Sequence, residues 1–216
     1  MFQPSESVVV MHDDNKQFGV QDIVMESNDI VYNGYFKMIK YAFRHRLFAG
    51  GWSGEVVREL FERGHAVALL PYDPVTDQVV LVEQVRIGAI AAGRSPWQLE
   101  IVAGVIDKEG ESPEQVAIRE TQEEAGLAVT NLQSITRFLP SPGGCSECIE
   151  VFYGEVNADN ATGIHGVPDE NEDILVHVVP REQAYQWIAD GKIENAATII
   201  ALQWLQLNLD KLRIGK

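Results

Sequence analysis

Between Ser112 and Gly126 the chain reads SPEQVAIRETQEEAG, and both ends of a helix are written into it. Ser stands as N-cap, Pro takes the first helical position, Gln follows three residues after the cap, and Gly supplies the stop. On such a helix Glu120, Glu123 and Glu124 project from one side, because residues three and four apart are neighbours. Like charges at that spacing destabilise an isolated helix, and near its C-terminus they also oppose the macrodipole. Arg119 can pair with Glu123 at i,i+4, which leaves Glu120 and Glu124 uncompensated. Two readings of the crowding stand: a solvated acidic face, or a site for a hard cation such as magnesium, which is held through a few carboxylates with water and phosphate oxygens completing its shell.

The rest of the composition narrows the choice of partner. The 216 residues carry 17 basic and 32 acidic side chains, a net charge of -15, and a duplex nucleic-acid binder would need a basic footprint instead. A small anionic ligand held by a few arginines and metal ions remains compatible with this charge. The N-terminal MFQPSESVVVMHDDNKQF lacks the basic and apolar regions of a secretory signal, and no apolar run approaches a membrane span, so a soluble cytoplasmic protein is expected.

Residues 18–45 alternate apolar and polar side chains around Ser-Asn-Asp and Asn-Gly, the pattern of antiparallel strands and turns. A small β domain over residues 1–50 is expected, with LFAGGWSG as linker to a main domain over 51–216. There, two β-rich runs flank the turn Asp73–Asp77, GAIAAGRSP reads as a loop, and Trp97–Val102 reads as one strand running into Ala103-Gly104. Further strands are expected near 127–138, 147–156 and 173–179, and helices near 181–191 and 196–209. The irregular mixture of strands and helices favours an α+β or sandwich arrangement over a Rossmann sheet.

Around the helix the order is Glu111, seven residues, Arg119-Glu120, two residues, Glu123-Glu124, one residue, then Gly126-Leu127. With Gly104 upstream, this resembles the signature of the Nudix hydrolases, in which a loop-helix-loop binds divalent metal and cleaves nucleoside diphosphates linked to another group. Six residues separate Gly104 from Glu111 where the family has five, and Thr121 takes a position that is commonly aliphatic. The likeness extends over nearly the whole chain: SGEVVRELFERGHAVALLPYDP, VEQVRIG, SPWQLEIVAG, FLPSPGG, GIHGVPDENEDI and IENAATIIALQWLQL are similar to segments of the bacterial ADP-ribose pyrophosphatases.

That resemblance implies an α/β/α sandwich around a mixed sheet, with the small N-terminal β domain exchanged across a homodimer. It implies magnesium, with manganese as the alternative, held by the Ala103 carbonyl, Glu120 and Glu124, with Glu123 and Glu172 as further candidates. Glu170, in the acidic loop Asp169–Asp173, is the expected general base, and Glu172 the alternative. Substrate would be met by Arg58, Glu59, Arg63, Arg86 and Val105, by Ser141, Gly143 and Glu147 in the ribose loop, and by Tyr35 and Phe36 from the other subunit. If Tyr35 and Phe36 lie on one strand, their rings point to opposite faces.

Cys145-Ser-Glu-Cys148 is a CxxC without the second ligand pair that a zinc ribbon needs or the βαβ setting of a thioredoxin motif. It reads as two reduced thiols beside the ribose loop, and His65, His165 and His177 show no ligand spacing. The expected activity is magnesium-dependent hydrolysis of ADP-ribose to AMP and ribose 5-phosphate. The alternatives are another nucleoside diphosphate sugar or a dinucleotide as substrate, or a non-catalytic module that senses ADP-ribose.

Overall fold

The computed structural model describes residues 17–167, 169 and 171–214, arranged as two units that divide between Glu62 and Arg63. The division falls later than the expected boundary at residue 50. The reason lies in pairing: β1 (Ile23–Asn33) and β2 (Lys37–His45) form a hairpin, and β3 (Val56–Glu62) completes an antiparallel three-stranded sheet in the order β1-β2-β3. The glycine-rich LFAGGWSG is therefore a turn inside this sheet. Gly50 and Gly51 take φ of 92° and 80°, which only glycine adopts without cost, and the Arg46 guanidinium lies 4.4 Å over the Trp52 ring at the mouth of the turn.

The second unit is built on a mixed eight-stranded sheet. β4 (Ala66–Asp73) and β5 (Gln78–Val85) are joined by the expected turn, in which Asp73 accepts hydrogen bonds from the backbone N–H groups of Val75 and Thr76. The two strands pair only beside that turn, at Tyr72 with Val79 and Asp73 with Gln78, and then part. Into the gap come β6 (Trp97–Glu100), which pairs with β5, and β7 (Val102–Val105), which pairs with β4. The single strand expected from Trp97 is thus two, broken at Ile101 because its halves serve diverging neighbours. GAIAAGRSP is not all loop: Ile87–Ala91 forms a one-turn helix, α1.

The sheet is completed by β8 (Thr130–Phe138), β9 (Ile149–Glu155), β10 (Ile164–His165) and β11 (Ile174–Pro180), along the path β10-β11-β5-β4-β9-β8. β4 and β9 run parallel and the other pairs antiparallel. Alternation along β4 sorts the core into two layers. Val67 and Leu69 meet Val116 and Ala117 of α2 (Pro113–Ala125), whereas Ala68, Leu70 and Tyr72 face Ala184 of α3 (Arg181–Ala189) and Ala197, Leu202 and Leu205 of α4 (Ala196–Ile214). The result in the second unit is an α+β fold of three layers, α/β/α. No helix among the described residues is long and apolar enough to cross a membrane.

Candidate active site

The carboxylate helix α2 forms as its ends dictate. Ser112 Oγ accepts from Gln115 N at 3.3 Å, the Gln115 side chain accepts from Ser112 N at 2.8 Å, and Gly126 closes the helix with φ of 68°. Thr121, at the commonly aliphatic position, is fully buried and donates its hydroxyl to the Ala117 carbonyl at 2.7 Å, so nothing polar is left over. β7 runs into the loop before α2, and its pairing with β4 sets Ala68 opposite Ala103 and Val67 opposite Gly104.

Arg119 compensates more charge than expected. It grips Glu111 with Nε and Nη2 at 3.0 and 3.1 Å, and its Nη1 reaches both Glu120, at 2.8 Å, and Glu123, at 3.0 Å. Glu120 is therefore paired, contrary to the expectation that it stands uncompensated. The six-residue loop after Gly104 still brings Glu111 into that fork. The guanidinium bond holds the Glu111 carboxyl below the usual carboxylate range.

Glu124 has no such partner. Only 4% of it is exposed, and its carboxylate accepts a hydrogen bond from Ala103 N at 3.2 Å. Burial pushes its pKa up to about 8, against the Ala103 N–H that lowers it; Glu120 raises it, Arg86 lowers it and Glu172 raises it further. Burial is also the main cause that raises Glu120, ahead of the lowering by Arg119 and the raising by Glu123. A Cβ built on Gly104 would fall on the Glu120 carboxyl, so glycine there is what gives this carboxylate its place against β7.

These carboxylates fit a divalent cation. They are held in low dielectric, repel one another and lie beside a backbone carbonyl strand, so positive charge among them relieves each strain at once. Among the described residues no three acidic, His or Cys side chains close into a ready-made metal cage. An ion here would complete its shell with water and ligand oxygens, which is how magnesium is usually bound.

The other expected residues divide between the units. In the second unit Arg86 stands between β5 and α1 and binds Glu100 through Nε at 2.9 Å and Nη2 at 2.8 Å. Arg63 lies with its Nε 3.3 Å from Glu147, which is buried in the loop after Ser141. The carbonyl of Ser141 accepts from Gly144 N and Cys145 N, folding the ribose loop around Gly143. Val105 ends β7 and is partly exposed. Glu172 accepts from Val167 N at 3.2 Å, pinning the base of the acidic loop. Glu170 lies outside the described residues.

In the first unit Arg58 and Glu59 stand on β3, and Arg58 Nη1 donates to the Val57 carbonyl. Tyr35 and Phe36 sit in the β1–β2 turn rather than on one strand, so their rings do not point apart. They meet edge to face, with centroids 4.7 Å apart, and Phe36 packs in the same way on Phe61 at 5.1 Å. Cys145 and Cys148 are free thiols, and His65 Nδ1 faces Cys148 N at 3.2 Å.

Two residues of this region were absent from the sequence expectation. Glu100 is a carboxylate inside the apolar run LEIV, a position that sequence pattern marks as a buried charge in need of a partner. Asn195, which donates to Glu100, stood only as the residue before a helix.

Comparison with known proteins agrees with this geometry. The NUDIX domain matches residues 62–202. The chain is 57% identical over 196 residues to an ADP-ribose pyrophosphatase of Escherichia coli (strain K12), covering 91% of this chain and 93% of that one. It is 33% identical over 183 residues to a GDP-mannose pyrophosphatase of Yersinia enterocolitica, covering 84% of this chain and 93% of that protein. A crystal structure described as an ADP compounds hydrolase superposes with a TM-score of 0.70 over 90% of this chain and 98% of that one, at 20% identity, a likeness of fold. With the domain matched over most of its length and its signature helix in place, the chain belongs to the Nudix family.

Proposed function

We propose that this protein hydrolyses the diphosphate of ADP-ribose to AMP and ribose 5-phosphate with a divalent metal ion, magnesium foremost and manganese as the alternative. The observation that carries the substrate is the 57% identity, over 91% of the chain, to proteins named ADP-ribose pyrophosphatase, against 33% to those named for GDP-mannose. The placement of Glu124 on the Ala103 N–H and of the Glu120 carboxyl against Gly104 supports catalysis over mere sensing.

In this reading Glu120, Glu124 and the Ala103 carbonyl hold the metal, with Glu123 and Glu172 beside them. When bound, the metal neutralises charge growing on the phosphoryl oxygens and lowers the pKa of the attacking water. Arg119 keeps Glu111, Glu120 and Glu123 in one array by spreading a single guanidinium over three carboxylates. Arg86 offers a forked donor to the diphosphate, and Arg63 steadies Glu147 so that its carboxylate can accept ribose hydroxyls. Glu170 takes the proton of the attacking water. The small β unit exchanges across a homodimer and lends Arg58, Glu59, Tyr35 and Phe36 to the partner's substrate.

The test is AMP release with magnesium from a panel of ADP-ribose, nucleotide sugars and dinucleotides. ADP-ribose is expected to give the highest kcat/KM, and Glu120→Gln and Glu170→Gln each to cost about 10² to 10⁴ in rate while the fold persists. No turnover of any substrate would overturn the enzyme reading. A preference for GDP-mannose would overturn the substrate.

A further inference from the structure

A line of bonded polar groups runs from the start of α4 to Arg86. Asn195 Oδ1 accepts the Thr198 N–H at 3.0 Å and the Thr198 hydroxyl at 3.1 Å, the geometry of an N-cap. Thr198 is fully buried, and its Oγ1 accepts the Ile101 N–H at 2.9 Å, so the helix start is fastened to the break between β6 and β7. The other end of the same amide, Nδ2, donates to Glu100 Oε1 at 3.0 Å. Glu100 Oε2 then takes Nε and Nη2 of Arg86.

The division of the Glu100 oxygens has a consequence. Glu100 is only 5% exposed, so each of its oxygens needs a donor, and the terminal torsion of a glutamate is broad and easily turned. With Asn195 on Oε1, the carboxylate meets Arg86 through Oε2 alone, and Nη1 of Arg86 has no protein partner among the described bonds. Without Asn195, the carboxylate is free to swing both oxygens onto the guanidinium as a fork-to-fork pair, which draws the arginine inward and occupies its donors. The Arg86 side chain is itself 42% exposed and lacks the packing to resist that movement.

We propose that Asn195 is a positioning residue for Arg86: by holding one oxygen of Glu100 it fixes the guanidinium with a free edge toward the substrate diphosphate. This rests on the reading of the protein as a diphosphate hydrolase that uses Arg86.

Asn195→Ser tests it, since serine still caps α4 but is too short to reach Glu100; Asn195→Asp, a good cap with no donor, serves as the second variant. Loss of a hydrogen bond to a charged group predicts a KM for ADP-ribose raised by about tenfold, with kcat within about twofold and an unchanged Tm. In Arg86→Gln the same change is expected to add nothing, because the two residues act through one bond chain. A KM unmoved by both Asn195 variants, or losses that add in the double variant, overturns the proposal. A second measurement needs no substrate. The Arg86 guanidinium N–H groups are expected to exchange with water more slowly by NMR in Asn195→Ser, where both Glu100 oxygens hold the guanidinium and draw it inward, than in the wild-type enzyme, where Glu100 meets it through Oε2 alone. Equal protection in both proteins overturns the role of Asn195, whereas wild-type protein that leaves ADP-ribose intact overturns the functional reading alone.

Discussion

At Gly104 a methyl group has no free space, because the Glu120 carboxyl already occupies it. The obstructing atoms are the mobile end of a side chain, so Gly104→Ala is expected to displace the carboxylate and leave the fold standing. A misplacement of about 1 Å at a catalytic group can cost on the order of 10² in rate. The expected result is a fall of that size in kcat with little change in denaturant midpoint, read by AMP release and by urea unfolding. Retained activity would mean that Glu120 is not a ligand that must sit against β7. The same residue shows why sequence pattern alone misjudged its charge. Adjacent helical positions do not ordinarily face each other, yet Arg119 is long enough to bend its Nη1 onto both Glu120 and Glu123.

Among the elements, α2 was legible because its boundaries are chemical: a capping box at Ser112 and a left-handed stop at Gly126. Gly126 is under two constraints at once. Its φ of 68° is costly for any other common residue, and a Cβ would lie 2.8 Å from the His165 ring, where β10 meets the end of the helix. Gly126→Ala is expected to destabilise the second unit by about 1 kcal/mol from backbone strain alone, and by more from the clash. Adding His165→Ala should return the clash portion and leave the strain, a pattern that chemical denaturation of the two variants resolves. Full recovery in the double variant would show that the left-handed backbone costs nothing here. What the sequence did not disclose at this scale is set by distant partners. The break at Ile101 follows from the parting of β4 and β5, and the Asn195–Glu100 bond joins positions 95 apart. Local pattern carries caps, turns and periodicity; it carries no record of which strand lies alongside.

For the whole molecule, the three-stranded sheet poses a question of cover. None of residues 17–62 is buried, and β1 is exposed along all eleven of its positions. Ile23, Val24, Met25, Ile30, Val31 and Tyr32 are among its large exposed side chains. A lone edge strand of this length and apolarity invites pairing or burial against another surface. A second copy of the chain is the cover that an exchanged β domain would provide. In solution the protein is expected to run at about twice its mass of 24.0 kDa. Ile30→Glu together with Tyr32→Glu should weaken that association, since a carboxylate left unpaired in an interface costs several kcal/mol while on an exposed strand it costs little. If Tyr35 and Phe36 act across the dimer, the dissociated variant should lose affinity for ADP-ribose yet bind divalent metal as before, because the carboxylates of α2 all belong to one chain. Light scattering gives the first result, activity and metal titration the second. A monomer with wild-type KM would restrict the substrate contacts to residues of a single chain and leave the exposed face of β1 without a catalytic reason.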